Sequence, residues 1–340
     1  MRLIRRLTHG NHRLSRRLER RRLQLRAWAK RGELEPLIDR TGEMPPGPIA
    51  ITTLRNEAVR LPWFLAHYRR LGIAHFLVVD NGSTDGSAEL LAAEPDTSVW
   101  RTGASYRQAQ FGVDWMNHLL ARHGAGRWIL CVDPDELLVY PHHTTRRLPA
   151  LIRWLEATGR ESFGTLLLDM YGPGPIETTA YRAGEDPLAA APFFDAGNYV
   201  AERHGRYHNL WLQGGPRMRA FFADQPARAP ALNKIPLVKW RPGTVFVTST
   251  HNLLPRRLNL VYSRSFGTLT SGVLLHMKFL DCLAGKVTEE LTRREHYDGG
   301  AEYDAYAAGQ GTRLWTPQST RYEGWEQLVR LGLMAKGGWF

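Results

Sequence analysis

The sequence predicts an α/β protein built around a mostly parallel central sheet, and three observations carry that prediction. Between residues 49 and 132, short apolar runs alternate with segments of helical periodicity. The runs are near-continuously hydrophobic, as strands covered on both faces must be. The last of them, residues 128–132, ends in Asp133, Asp135 and Glu136, three acids within four residues. In open α/β sheets ligands bind outside the carboxyl ends of the strands, so these acids fall where chemistry is expected.

Taken in order, the chain opens on a basic segment. Residues 1–31 hold twelve Lys/Arg against the single acid Glu19, that is 12 − 1 = +11 of the net charge of +12, which leaves +1 for residues 32–340. Leu3, Ile4, Leu7, Leu14, Leu18, Leu23, Leu25 and Trp28 recur among arginines such as Arg2, Arg5, Arg6 and Arg13, with partly helical spacing. Docking on anionic lipid headgroups and packing against the body or another subunit both fit this pattern. Nucleic-acid binding fits less well, because the rest of the chain offers no second basic face. Residues 41–48, rich in Gly and Pro, read as a linker that closes an arm of residues 1–47.

The body begins with a strand at residues 49–54 that turns at Arg55-Asn56-Glu57. A helix follows over 60–71, with Leu61, Phe64, Leu65, Tyr68 and Leu71 on one face and Gly72 as its stop. The strand at 75–79 runs into Asp80-Asn81-Gly82-Ser83-Thr84-Asp85-Gly86-Ser87, and a short helix is expected over 87–93. Such a loop of small and polar residues suits an anion, and Asp80 can accept hydrogen bonds from a base or ribose. The same residues also make an ordinary turn with Ser87 as helix cap. Residues 98–101 read as a weak strand, and 105–123 as an amphipathic helix with Phe111, Trp115, Met116, Leu119 and Leu120 inward. At the acids, three neighbouring carboxylates repel unless a cation neutralises them or their pKa values rise. Mg²⁺ or Mn²⁺ fits that need, and Pro134 helps to aim Asp133 and Asp135; a solvated acidic turn is the bland alternative.

Composition limits the classes available. At 340 residues with 43% hydrophobic and 23% charged, the chain can bury a sizeable core in one large domain or two smaller ones. No apolar run reaches the length of a transmembrane helix, and the basic N-terminus lacks the apolar core of a signal peptide. Two cysteines, Cys131 and Cys282, make no disulfide framework, and a cytoplasmic location is expected.

Three motifs in order, Thr53-Leu54-Arg55-Asn56-Glu57, Val79 through Ser87, and Asp133-Pro134-Asp135-Glu136, resemble the nucleotide-sugar half of family 2 glycosyltransferases. The bacterial subgroup related to family 92 is the nearer likeness. The resemblance covers residues 48–141 strongly and 142–297 loosely, and leaves 298–340 as an aromatic-rich extension. It implies a GT-A fold, a Rossmann-like α/β/α sandwich, acting on a nucleoside-diphosphate sugar. By the resemblance, Thr53, Arg55, Glu57, Asp80, Asn81, Arg107, Gln110 and Asp133 face the nucleotide sugar, with Arg107 and Gln110 on a helix that closes over it. Asp133 and Asp135 match the D-x-D pair of a Mn²⁺ or Mg²⁺ site.

The second half is less legible. Residues 163–171 read as a strand ending in Asp169, either a general base toward an acceptor hydroxyl or a strand-end cap. Residues 172–198 suit a long loop shaping the acceptor site. Gly214-Gly215 stands where family 2 enzymes often have a turn before an acidic pair, but no acid follows until Asp224, which leaves the base unassigned. A strand over 233–240 carries Lys234, a possible phosphate contact. His251 and His276 each lie in or after an apolar strand. The resemblance of Leu275-His276-Met277-Lys278 to the family's late metal-binding segment favours His276 as ligand, with Lys278 near the diphosphate. The expectation is therefore a metal-dependent hexosyltransferase with a saccharide or lipid-linked acceptor, in cell-envelope polysaccharide assembly. Its basic arm would hold it at the inner membrane face. A sugar-phosphate nucleotidyltransferase is disfavoured by the lack of a Gly-rich, Lys/Arg-bearing loop after the first strand. A non-enzymatic membrane- or nucleic-acid-binding module acting through the arm is the third class.

Overall fold

The computed structural model describes residues 2–262, 269–293, 295, 301–309 and 311–339, and for 2–14 and 301 the backbone only. Leu3, Ile4, Leu7, Leu14, Arg2, Arg5, Arg6 and Arg13, all singled out above, lie outside the described side chains. Helix α1 (Arg2–Ala29) leads to β1 (Glu35–Ile38). Then β2 (Ile49–Leu54), α2 (Leu61–Leu71), β3 (His75–Asp80), α3 (Ser87–Ala93), β4 (Thr97–Arg101), α4 (Val113–His123) and β5 (Trp128–Cys131) alternate. After β6 (Glu136–Val139) come α5 (Leu148–Ala157), β7 (Ser162–Tyr171), α6 (Pro187–Ala190), β8 (Phe193–Phe194), β9 (Tyr199–His204) and β10 (Asn209–Gly214). The remainder is α7 (Gly215–Phe221), β11 (Asn233–Lys239), β12 (Val245–Thr248), β13 (Asn252–Leu254), β14 (Gly272–Phe279), α8 (Leu283–Arg293), α9 (Ala301–Ala308), β15 (Thr320–Arg321) and α10 (Trp325–Arg330).

One sheet runs β1-β4-β3-β2-β5-β11-β7-β14-β6, with β8 on β7 and β15 on β8. Strands β4, β3, β2 and β5 are parallel, with a helix between each strand and the next in the chain. Strand β11 lies antiparallel between β5 and β7, so β7 and its parallel neighbour β14 point the same way as β5. Only β1, β11 and β6 on this path oppose them, so the sheet is mostly parallel. Alternate side chains of each strand face opposite layers. Ala50, Phe76, Val78 and Leu130 pack with α2 and α5, through Leu61, Phe64, Leu65, Leu148, Leu151 and Leu155. Ile49, Ile51, Leu77, Val79 and Ile129 pack on the other face with Trp115, Leu119 and Leu120 of α4.

The predicted elements differ from the observed ones in instructive places. The helix expected over 105–123 starts only at Val113, because Gln110, Phe111 and Gly112 take φ of 51°, 58° and 77°, values a right-handed helix cannot hold. Gly112 passes so close to β2 that a Cβ there would lie 2.8 Å from the Thr53 Oγ1. Arg107 and Gln110 are therefore loop residues, not helical ones. The segment read as arm and linker supplies β1, the sheet's edge beside β4. The C-terminal extension joins the main core through Trp325, Leu328, Met334 and Trp339. Among the described residues, no helix is long and apolar enough to cross a membrane.

Candidate functional site

Strand register assembles the centre. On β14, His276 lies opposite Asp169 of β7 on one side and Glu136 of β6 on the other. Just past β5, Asp135 is tethered by its carbonyl, which accepts from Met277 N–H at 2.7 Å. The result is a buried chain of alternating charge. Asp135 Oδ2 is 3.4 Å from His276 Nε2, and His276 Nδ1 is 2.6 Å from Asp169 Oδ1. Asp169 Oδ2 accepts from Arg217 Nε at 2.8 Å, and Arg217 Nη1 reaches Glu302 Oε1 at 3.2 Å. Lys278 Nζ donates to the same Glu302 oxygen at 3.1 Å.

Each shift in this chain has a nameable cause. Burial pushes the Asp135 carboxyl up, but the His276 imidazolium and its hydrogen bond outweigh it and hold the acid well below its usual range. Burial pushes His276 down, and Asp135 and Asp169 reverse it, so its pKa is raised. Burial likewise opposes Asp169, yet Arg217 and His276 keep it depressed.

The three acids read from the sequence are thus separated by cations of the chain itself. Asp135 goes to His276, while Glu136 takes Lys234 at 2.9 Å. Lys234 was expected to face phosphate; instead it is 5% exposed and committed to Glu136, 3.7 Å from Asp133. Asp133 has no close partner of this kind, and its side chain is 53% exposed. The desolvating walls of the site and the Glu136 charge push it up to about 7, a push that solvent on its open side screens in part. His251 is a half-buried structural histidine: its Nδ1 meets the Asn233 carbonyl at 2.6 Å, and desolvation drives it down to about 3. Among the described residues, no group of three His, Cys, Asp or Glu side chains converges to hold a metal ion. Asp135 and His276 converge as a pair, and Asp133 stands apart.

The nucleotide-half candidates gather at the ends of β2, β3 and β4. Asp80 is fully buried and accepts from Ser83 N–H at 3.2 Å, with Arg101 Nε 3.9 Å away. Asn81 Nδ2 donates to the carbonyls of Thr102 and Ala104 at 3.2 and 3.0 Å. Ser87 is not a helix cap: its Oγ accepts from Glu57 N–H at 2.9 Å and donates to Asp85 at 2.6 Å. Thr53 Oγ1 and Gln110 Oε1 are buried without a hydrogen-bond partner among the described residues.

Helix α8 lies across this rim. Glu289 pairs with Arg55 and accepts from Asn56 Nδ2 at 3.0 Å, Lys286 pairs with Glu57, and Arg293 Nη2 donates to Asn81 Oδ1 at 3.1 Å. Beyond α8, Glu295 accepts from Ser105 Oγ and from the Arg107 N–H, both at 2.7 Å.

Sequence reasoning missed Arg217, Glu302 and this charged face of α8. Part of the signal was present. Gly214 (φ 144°) and Gly215 (φ 65°) make the turn that launches α7 and delivers Arg217, and a Cβ on Gly214 would lie 2.0 Å from the Asn198 carbonyl oxygen. Lys286, Glu289, Glu290 and Arg293 recur at one-face helical spacing. The sequence matches none of the protein-family models, and comparison with curated proteins likewise gives no match.

Proposed function

We propose that this chain is a metal-dependent glycosyltransferase of GT-A fold. It would move a hexose from a nucleoside-diphosphate sugar, a UDP-sugar foremost, to a saccharide or lipid-linked acceptor. The observation that carries the reading is the Asp135–His276–Asp169 arrangement at the carboxyl ends of parallel strands. His276 sits between two carboxylates, Nδ1 2.6 Å from Asp169 and Nε2 3.4 Å from Asp135, and a metal ion would take the place of the proton that Nε2 shares with Asp135. An imidazole fixed by an outer carboxylate is a recurrent way to present a metal ligand. A carboxylate oxygen and an imidazole nitrogen suit Mn²⁺, and more weakly Mg²⁺, with the remaining positions left to water and diphosphate. When bound, the ion would offset the charge that develops on the departing diphosphate.

The other residues take roles their geometry supports. Both Asp169 oxygens are committed and its proton affinity is depressed, so it holds His276 in place rather than accepting a proton from an acceptor hydroxyl. Asp133, half-exposed, is available to a ribose or sugar hydroxyl. Arg55, Asn81 and the Arg107 N–H line the nucleotide side, so a nucleotide would exchange places with the Glu289, Arg293 and Glu295 contacts they now make. Lys278, bound to Glu302 and 5.1 Å from the ring centroids of Tyr303 and Tyr306, is a cation that β14 itself contributes.

The test is isothermal titration with UDP, with and without Mn²⁺. Metal-dependent binding is expected, lost in Asp135→Asn together with on the order of a thousandfold of the transfer rate, while circular dichroism shows the variant still folded at the assay temperature despite a lower melting temperature from the lost His276 pair. No binding to any nucleoside diphosphate with metal present would overturn the reading. Release of pyrophosphate from a nucleoside triphosphate would replace it with nucleotidyl transfer.

A further inference from the structure

Helix α1 has two chemically distinct sides. Its inner side is fixed to the body: Leu23 packs with Tyr207, Val245 and Leu254, and Arg26 pairs at 2.8 Å with the fully buried Asp114. The only acid of the helix, Glu19, is also spent on this side. It accepts from Tyr207 Oη at 2.7 Å and pairs with Arg206 at 2.6 Å and with Arg16 at 2.8 Å. The outer side carries Leu18, Leu25 and Trp28, which are 56%, 67% and 59% exposed. At 100° per residue these three fall within a quarter-turn of one another, and Arg17, Arg21 and Arg22, all exposed, lie among and beside them. Arg31 stacks over the Trp28 ring at 3.6 Å, at the lower end of the stripe.

We infer that this outer face is an interfacial docking surface for an anionic lipid bilayer, with Leu18, Leu25 and Trp28 entering the headgroup–acyl boundary and Arg17, Arg21 and Arg22 meeting lipid phosphates. A large apolar stripe bordered by arginines, on a helix of low mean hydropathy, is the pattern of helices that lie in the membrane plane. Two rival occupants fit less well. Nucleic acid would use the arginines but leave three large apolar side chains facing water or phosphate. A second copy of the chain would set like charge against like charge, because the outer face holds arginines and no acid. The inference is independent of the transferase reading, since it draws on no residue of the acid–histidine centre.

The experiment is co-sedimentation of the full chain with vesicles of phosphatidylcholine, with or without about one-third phosphatidylglycerol, at low and at physiological salt. Binding is expected to the anionic vesicles and to be much weaker for the neutral ones. Each arginine near an anionic surface is worth about fivefold in partitioning, so Arg17→Gln/Arg21→Gln/Arg22→Gln is expected to lose on the order of a hundredfold. Leu18→Ser/Leu25→Ser/Trp28→Ser should lose binding even at low salt, where the charges act at full range. All six positions are exposed, so melting curves matching the parent will show that the fold is kept. Equal binding to both vesicle types, or variants that bind like the parent, would overturn the inference. So would a parent dimer that the apolar triple variant converts to monomer, or tighter binding to a short DNA duplex than to anionic vesicles.

Discussion

Asp80 at the end of β3 and Asp169 at the end of β7 are both buried aspartates at the carboxyl lip of one sheet, and they are satisfied in opposite ways. Asp80 accepts from the N–H of Ser83, three residues further on in its own loop, and its nearest cation is a 40% exposed arginine 3.9 Å away. Asp169 is held by side chains that arrive from 48 and 107 residues away, Arg217 and His276, both buried. The first is a local solution, which a loop's own backbone supplies. The second exists only once β14 and α7 have docked. A strand-end acid can therefore look the same in sequence and serve either as a locally held acceptor or as one member of a fixed charge chain.

The largest effect should come from breaking the second arrangement. Arg217→Met leaves Asp169 buried beside His276 without its main cation and should cost about 3–5 kcal/mol of stability, read by urea denaturation. The matching change at the first site, Arg101→Ala, removes a partly exposed cation and should cost less than about 1 kcal/mol. Similar costs for the two would erase the distinction.

That distinction also explains what could be read in advance. The alternating strands and helices, the Gly72 stop with its φ of 95° and the position of the acids after β5 follow from neighbours in the chain, although Arg55, Glu57, Asn81 and Asp114 find their side-chain partners far along it. The pair Asp135 and His276 was legible only through resemblance, since 141 residues separate them (276 − 135) and register alone brings them together. Arg217 carried no local mark of its purpose beyond the glycine turn before it. The division of three acids between His276, Lys234 and solvent was not legible either: composition shows that a cation is needed, not which one arrives.

Acid titration sharpens the contrast between histidines. Burial holds His67 and His251 down to about 3, against 6.5 when exposed, so the unfolded chain binds more protons than the folded one in that window. The stability they contribute is complete above 6.5 and is lost as the pH falls toward 3. His276, with a raised pKa, has the opposite sign: its contribution is complete below 6.5 and fades as the pH rises through its folded value. Melting temperature should therefore fall from pH 6.5 downward, and His67→Gln/His251→Gln should flatten that slope whatever its own cost at neutral pH. An unchanged slope would mean that other groups carry the acid sensitivity.

Gly112→Ala tests the one stretch where helical periodicity misled. In a helix, replacing Gly by Ala stabilises by about 1 kcal/mol. At a φ of 77°, with Thr53 Oγ1 2.8 Å from the new Cβ, the sign reverses. A loss of about 1–3 kcal/mol is expected in a denaturant titration. A gain would restore the helix over residues 105–123.

The smallest effect concerns α8 and separates two roles that its contacts permit. Glu289 neutralises Arg55 and binds Asn56, so it occupies groups that the proposed nucleotide would need. A partly exposed ion pair of this kind is worth about 0.2–1 kcal/mol, and removing its charge should return up to that amount to a competing anion. Glu289→Gln should then tighten UDP binding by up to about fivefold at low salt, with a smaller gain at high salt, where the pair is screened. The change leaves Asp135 and His276 untouched, so metal dependence should persist. Weaker binding would instead make Glu289 part of the wall that receives the nucleotide, and α8 a fixed side of the pocket rather than a competing occupant. Under the first outcome the rim is built from exchangeable pairs that a ligand would remodel while the acid–histidine centre, locked by register, stays in place; under the second the rim is fixed as well.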